Sequence, residues 1–156
     1  MSVEMRKPFN PIIGETFEGF WPDNTKIYAE HISHHPPISA FLVEHQGGLY
    51  RYYGSYEYQA KLTDWGNSAR GRQAGMNHIE FKDGTKISYE FPFMKISGLL
   101  FGKRTIKFTG SVKWTDKKNN IEASLKLNEE GGMFKKKQGT VDEFYGTITQ
   151  NGKVVR

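Results

Sequence analysis

Two histidines followed by two prolines, His34-His35-Pro36-Pro37, are the residues whose types and order point most directly to chemistry. On a regular strand, neighbouring side chains face opposite sides. Pro36 biases His35 toward extended backbone, and Pro37 does the same to Pro36. A double proline also interrupts a strand ladder. Two imidazoles at the end of a strand can then approach one ligand from different directions. Their ring nitrogens donate to a phosphate, more strongly when protonated. Three other readings compete. The pair can be purely structural. With His31 it can be a metal site, although there is no cysteine and no carboxylate at a familiar spacing. Acid–base catalysis would need a nucleophile, and Ser33 sits in nothing resembling a nucleophile elbow. The sequence therefore points to no catalytic residue, no metal and no cofactor, and the chain reads as a non-enzyme.

Two more segments hold candidates. In Lys7-Pro8-Phe9-Asn10-Pro11-Ile12-Ile13-Gly14-Glu15, two prolines fix φ and remove two amide donors. Lys7 and Asn10 are then an ammonium and an amide pre-placed on a rigid piece, which lowers the entropy cost of holding an anion. The alternative is an ordinary loop with a solvated lysine. Met133-Phe134-Lys135-Lys136-Lys137 reads either as a solvated hairpin tip or as a membrane contact. In the second case the Met-Phe pair dips into the interface and each lysine gains about 1 kcal/mol near anionic lipid. Lys103-Arg104 is a weaker instance of the same idea.

These residues must be positioned by strands. The 156-residue chain fits one compact domain, with 37% hydrophobic, 25% charged and 14% aromatic residues. Such an aromatic share suits pleated surfaces better than a Leu-rich bundle. Strands are expected at 26–32, 49–62, 78–82, 85–91, 105–114, 121–127 and 140–149. In 49–62, Tyr50, Tyr52, Tyr56, Tyr58 and Leu62 alternate with Arg51, Glu57, Gln59 and Lys61. Gly54 reads as a bulge. Asp83-Gly84 predicts a tight primed hairpin turn. Asn119-Asn120 predicts another hairpin, and Asn151-Gly152 a turn into a last short strand. No sustained 3.6-residue stripe appears, but 64–76 has room for a helix of one or two turns, with Gly66, Gly71 and Gly75 arguing against more. The expectation is an antiparallel meander of roughly seven to nine strands. Its open edges invite self-association.

Composition narrows the setting. There is no cysteine, hence no disulfide or thiolate site, which fits a reducing compartment. No apolar run approaches the ~18 residues of a membrane span, and no secretory leader opens the chain. A cytoplasmic, peripheral protein is expected. Net charge is +5, which favours anionic partners, although so mild an excess also serves solubility.

Together the segments resemble the oxysterol-binding protein family. Its signature runs Glu, Lys or Gln, any residue, Ser, His, His or Arg, Pro, Pro. Here it stands as Glu30-His31-Ile32-Ser33-His34-His35-Pro36-Pro37, and Lys7-Pro8-Phe9-Asn10-Pro11-Ile12-Ile13-Gly14-Glu15-Thr16 matches a second block. His31 departs from the pattern, at a position to which the resemblance assigns no phosphate contact. The resemblance implies part of an incomplete antiparallel β-barrel around a hydrophobic lipid tunnel. It further implies binding and intermembrane transfer of phosphatidylinositol 4-phosphate and a sterol or phosphatidylserine. By it, Lys7, Asn10, His34 and His35 hold the headgroup. Residues 1–156 would be a partial ligand-binding domain, without the family's lid and C-terminal helical part. Two rival readings stand beside it. One is an OB-like barrel binding nucleic acid, against which the double signature argues. The other is an interaction module that has lost transfer.

Overall fold

The structure, a computed structural model, describes residues 9–128 and 144–156. Among these, twelve strands build one antiparallel sheet, and there is no α-helix. They are β1 (Thr16–Phe20), β2 (Lys26–Ser33), β3 (Ile38–Glu44), β4 (Tyr50–Thr63), β5 (Ser68–Ala74) and β6 (Asn77–Phe81). After them come β7 (Lys86–Tyr89), β8 (Phe93–Ser97), β9 (Thr105–Asp116), β10 (Ile121–Leu127), β11 (Phe144–Gln150) and β12 (Lys153–Val154). The long strand β4 pairs with β5 along 57–63 and with β6 along 50–54. Likewise β9 pairs with β8 along 105–109 and with β7 at 115–116. Each of β5–β6 and β7–β8 is thus one long excursion broken in the middle. The chain is a plain up-and-down meander, with β1 and β12 at the ends of the strand order.

The strand count exceeds the expected seven to nine because β1 and β3 are not among the expected strands, because β8 adds to the expected strand at 85–91, and because 64–76 is not helical. Asp64–Gly66 forms one 3₁₀ turn and β5 follows directly. β5 is held between β4 and β8, and two ladders outweigh any local helical preference. Gly54 is not a bulge: its pairings with Phe41 and Asn77 are in register. It is glycine because a Cβ there would lie 2.6 Å from the Met76 carbonyl oxygen, where β4 changes partner. The break falls at Gly75 instead, at φ +140° against the Ser55 carbonyl.

Turn chemistry fits two of the three predicted hairpins closely. Asn151 and Gly152, at φ 51° and 74°, form the two-residue primed turn between β11 and β12. Asn120, at φ 52°, closes the connection between β9 and β10. At the third, only Gly84 has positive φ. The Gly84 N–H donates to Phe81 and the Phe81 N–H to Thr85, which makes a three-residue loop ending in a left-handed glycine.

Register sorts the side chains onto two faces, because directly paired residues share a face. Ile27, Phe41, Val43, Tyr52, Ile79, Ile87, Met94, Ile96, Phe108, Val112, Trp114, Leu125 and Ile148 fall on one face. Arg51, Glu57, Lys61, Arg70, Lys95, Lys107, Lys113 and Glu122 fall on the other. The alternation expected for 49–62 therefore extends across the sheet. Val112 is the only fully buried apolar side chain among the described residues. Among the described residues nothing packs over the apolar face of the sheet.

Gly75→Ala should destabilise the fold by about 3 kcal/mol or more, since the new methyl meets backbone at a φ that L-residues avoid. Urea unfolding checks this; a change under about 0.5 kcal/mol would contradict the packing described.

Candidate functional site

The turn joining β2 to β3 carries the histidines. The ladder between these strands is irregular between His31 and Ser33, so the β2 end bends as it enters the turn. His34 is half-buried and His35 exposed, with ring centroids 4.7 Å apart at 62°. The His35–Pro36 peptide bond is cis.

His31 stands behind them, 5% exposed, on the apolar face. Its Nδ1 lies 3.1 Å from Ser39 Oγ and its Nε2 lies 3.4 Å from His34 Nδ1. One proton between His31 Nε2 and His34 Nδ1 makes that contact a hydrogen bond. The far nitrogen of His34, Nε2, takes no part in that bond. A residue to which the resemblance assigned no phosphate contact thus fixes the ring of one to which it did. Strand alternation already held the clue, since His31 shares its face with Ile27 and Ala29.

The N-terminal block arrives beside this turn. The Gly14 N–H donates to the His31 carbonyl at 2.9 Å, and the His31 N–H to the Glu15 carbonyl at 3.0 Å. Glu15 also accepts the Ile12 N–H through Oε2. Asn10 is exposed, and among the described residues no hydrogen bond joins it to either ring. Lys7 lies outside the described residues, as do Met133, Phe134, Lys135, Lys136 and Lys137. No three His, Asp or Glu side chains among the described residues are gathered closely enough to hold a metal ion.

On the apolar face lies a groove of about 670 Å³, lined by Trp21, Ile27, Phe41, Val43, Tyr50 and Tyr52 among others. The groove also includes the buried Thr25, whose N–H donates to Asp23 Oδ1 at 3.0 Å. That bond holds the Asp23 carboxyl below the usual range. Deeper in the sheet, Asn77 is 1% exposed and satisfied locally. The Tyr52 hydroxyl donates to its Oδ1 at 3.2 Å and meets the Tyr89 hydroxyl at 3.0 Å. Burial, then the Tyr89 hydroxyl, pushes the Tyr52 phenol well above its ordinary value. Burial and Tyr58 raise Tyr56 likewise. The arrangement can do two things: present imidazole donors at one sheet end, and offer an apolar aromatic surface below them.

Taken with this geometry, comparison with known proteins defines the class. The family described as oxysterol-binding protein matches residues 1–156, and the chain belongs to that family. It is 35% identical over 153 residues to oxysterol-binding protein 9 of Dictyostelium discoideum, covering 95% of this chain and 35% of that one. It is 31% identical over 160 residues to human oxysterol-binding protein-related protein 5, covering 97% of this chain and 17% of the relative. Two crystal structures share its fold. The Osh1 ORD domain in complex with cholesterol gives a TM-score of 0.75 at 25% identity, covering 93% of this chain and 33% of that one. The Osh3 ORD in complex with PI(4)P, from Saccharomyces cerevisiae, gives 0.76 at 26% identity, covering 96% and 39%. The chain spans about a third or less of the curated relatives it matches here. Among the described residues no helix is long and apolar enough to cross a membrane.

Two outcomes follow. Tyr52 and Tyr56 stay neutral in the fold above the pH at which an unfolded tyrosine ionises, near 10. Their raised values therefore stabilise the fold fully below that pH, and the contribution is lost as pH rises beyond it. Thermal unfolding midpoints should fall above about pH 10, and fall less in Tyr52→Phe; equal falls would contradict the buried phenol. His31→Ala leaves the Ser39 hydroxyl and a His34 nitrogen unpaired. It should cost about 1–3 kcal/mol in chemical unfolding; no loss would mean that the His31 contacts are idle.

Proposed function

We propose that this chain is a non-enzymatic lipid-binding module for phosphatidylinositol 4-phosphate and one further lipid, a sterol or phosphatidylserine, which it carries between membranes. One observation carries the reading: a sheet whose apolar face lacks a covering layer among the described residues ends in a turn that presents two imidazoles. Acyl chains or a sterol would cover that face, removing apolar area from water at about 25 cal/mol per Å². His34 and His35 would donate to the 4-phosphate, with Lys7 and Asn10 meeting the headgroup region. The phosphate is close to a dianion at neutral pH, so each charge-assisted bond is a strong one. The Osh1 structure with cholesterol and the Osh3 structure with PI(4)P support both halves of the reading.

In this reading residues 1–156 supply the sheet part of a larger ligand-binding domain. The chain works in the cytoplasm, peripherally at membranes and their contact sites. The segment Met133–Lys137 adds a contact with anionic lipid. The outer strands β1 and β12 leave room for self-association.

Transfer of labelled phosphatidylinositol 4-phosphate between vesicles tests the proposal. His34→Ala with His35→Ala should lower phosphoinositide affinity by about 100-fold or more, from two charge-assisted bonds of about 1.5–3 kcal/mol each. Sterol binding and the circular dichroism spectrum should be unchanged. Undiminished phosphoinositide affinity would overturn the imidazole assignment. Binding without transfer would reduce the chain to an interaction module.

A further inference from the structure

A second surface lies at the same end of the sheet as the histidine turn. Strands β2, β4 and β8 run parallel to one another, because each is separated from the next by two antiparallel steps, through β3 and through β5. The turn after β2 (34–37), the turn after β4 (64–67) and the loop after β8 (98–104) therefore lie at one end. The last two are tied together. The Asn67 side-chain carbonyl accepts the N–H groups of Leu100 and Phe101 at 3.0 and 3.1 Å, and the Leu99 N–H donates to the Asn67 carbonyl. Lys95 Nζ lies 3.4 Å from the Asp64 carboxylate, and the Ser68 and Lys95 bonds lower the pKa of that group.

What this braced tip presents is apolar. Trp65 is 102% exposed, at φ 54°, a left-handed conformation that a bulky residue rarely adopts. Phe101 and Leu100 are 71% and 69% exposed. A tip held this firmly could have folded its tryptophan inward; it aims the ring out. Backbone strain at such a position points to function.

Directly behind the tip runs a band of positive charge. On the polar face, Lys61 pairs with Arg70, Arg70 with Lys95, and Lys95 with Lys107, across four adjacent strands. Like charges placed directly opposite one another destabilise a sheet; Asp64 meets Lys95, and an anionic surface would relieve the rest of the row. Lys103 and Arg104 extend it onto the loop, both exposed. Residues 58–74 and 93–109 together hold seven Lys or Arg side chains and one carboxylate, Asp64. The chain's modest net charge is therefore concentrated here. Lys61 stands two residues before the end of β4 at Thr63, about 7 Å along the strand from where the tip begins. A tip sunk about 5–10 Å into a bilayer interface would bring that row to the headgroups.

We propose that the Trp65–Leu100–Phe101 tip and the Lys61–Arg70–Lys95–Lys107 row form a docking surface for anionic bilayers. The tryptophan sits at headgroup depth, as aromatic rings do at membrane interfaces. The leucine and phenylalanine reach below it, and the cations meet the lipid charge. Docking tip-first turns the histidine turn toward the same membrane. The inference deepens the lipid-binding reading by naming where the membrane is met. The exposed aliphatic side chain of Leu100 beside the two aromatic rings favours lipid over a nucleic acid.

The test is co-sedimentation of the full chain with phosphatidylcholine vesicles, with and without one quarter phosphatidylserine. Binding should require phosphatidylserine and weaken with salt. Trp65→Ala with Phe101→Ser should lower partitioning about tenfold or more. Lys103→Ala with Arg104→Ala should lower it about 30-fold on charged vesicles and leave neutral ones unchanged. All four side chains are exposed, and circular dichroism checks the fold. Unchanged partitioning in both variants would overturn the surface. So would single-stranded RNA that binds more tightly than the charged vesicles and displaces the chain from them. Binding of a short-chain phosphoinositide free in solution separates the two ideas. Variants that lose vesicles yet keep the soluble lipid bear on docking alone. A wild-type chain that docks yet takes up no soluble lipid counts against the proposed function alone.

Discussion

A single antiparallel layer cannot bury its own apolar face, and that constraint governs this structure. The period-two alternation of β4 is carried from strand to strand by in-register pairing, so apolar side chains accumulate on one side from β2 to β11. Backbone hydrogen bonds are satisfied within the ladder. Hydrophobic burial is not, because Phe41, Tyr52 and Trp114 touch mainly their neighbours on the same face. Whatever covers that face contributes to stability as well as to function. A cargo that binds only the folded sheet stabilises it by mass action.

The same constraint separates the chemistry. Polar groups on the apolar face are few and mostly paired: Asn77 with Tyr52, and His31 with Ser39 and His34. They fix side chains where water is scarce and an unpaired group is costly. Groups able to meet charge sit at the sheet end or on the other face. A lipid has the same division, a charged head and apolar chains, and can match both parts without burying a charge.

Much of this was legible in the sequence, for physical reasons that can be named. Alternation in 49–62 marked the two faces, and Asn151-Gly152 marked a primed turn, because both signals are local. Gly54 and Gly75 were harder. Each is glycine because of a carbonyl on another strand, so only the register shows which one breaks the excursion. The segment 64–76 became strand because two neighbours pair with β5, a tertiary effect that no window reveals. The His-His-Pro-Pro run was visible at once, whereas the part of His31 needed the cross-strand position of Ser39. The cationic row is invisible in the linear order, since its members are far apart and meet only through pairing.

The most direct test of the account is photocrosslinking with a phosphatidylinositol 4-phosphate carrying a diazirine on one acyl chain, mapped by mass spectrometry. Adducts are predicted on Ile27, Phe41, Val43 and Tyr52, with none on Arg51, Tyr53 or Glu57, which alternate with them on the opposite face. Labelling of both faces alike, or of the polar face alone, would contradict the claim that the unlayered apolar face is where the lipid lies.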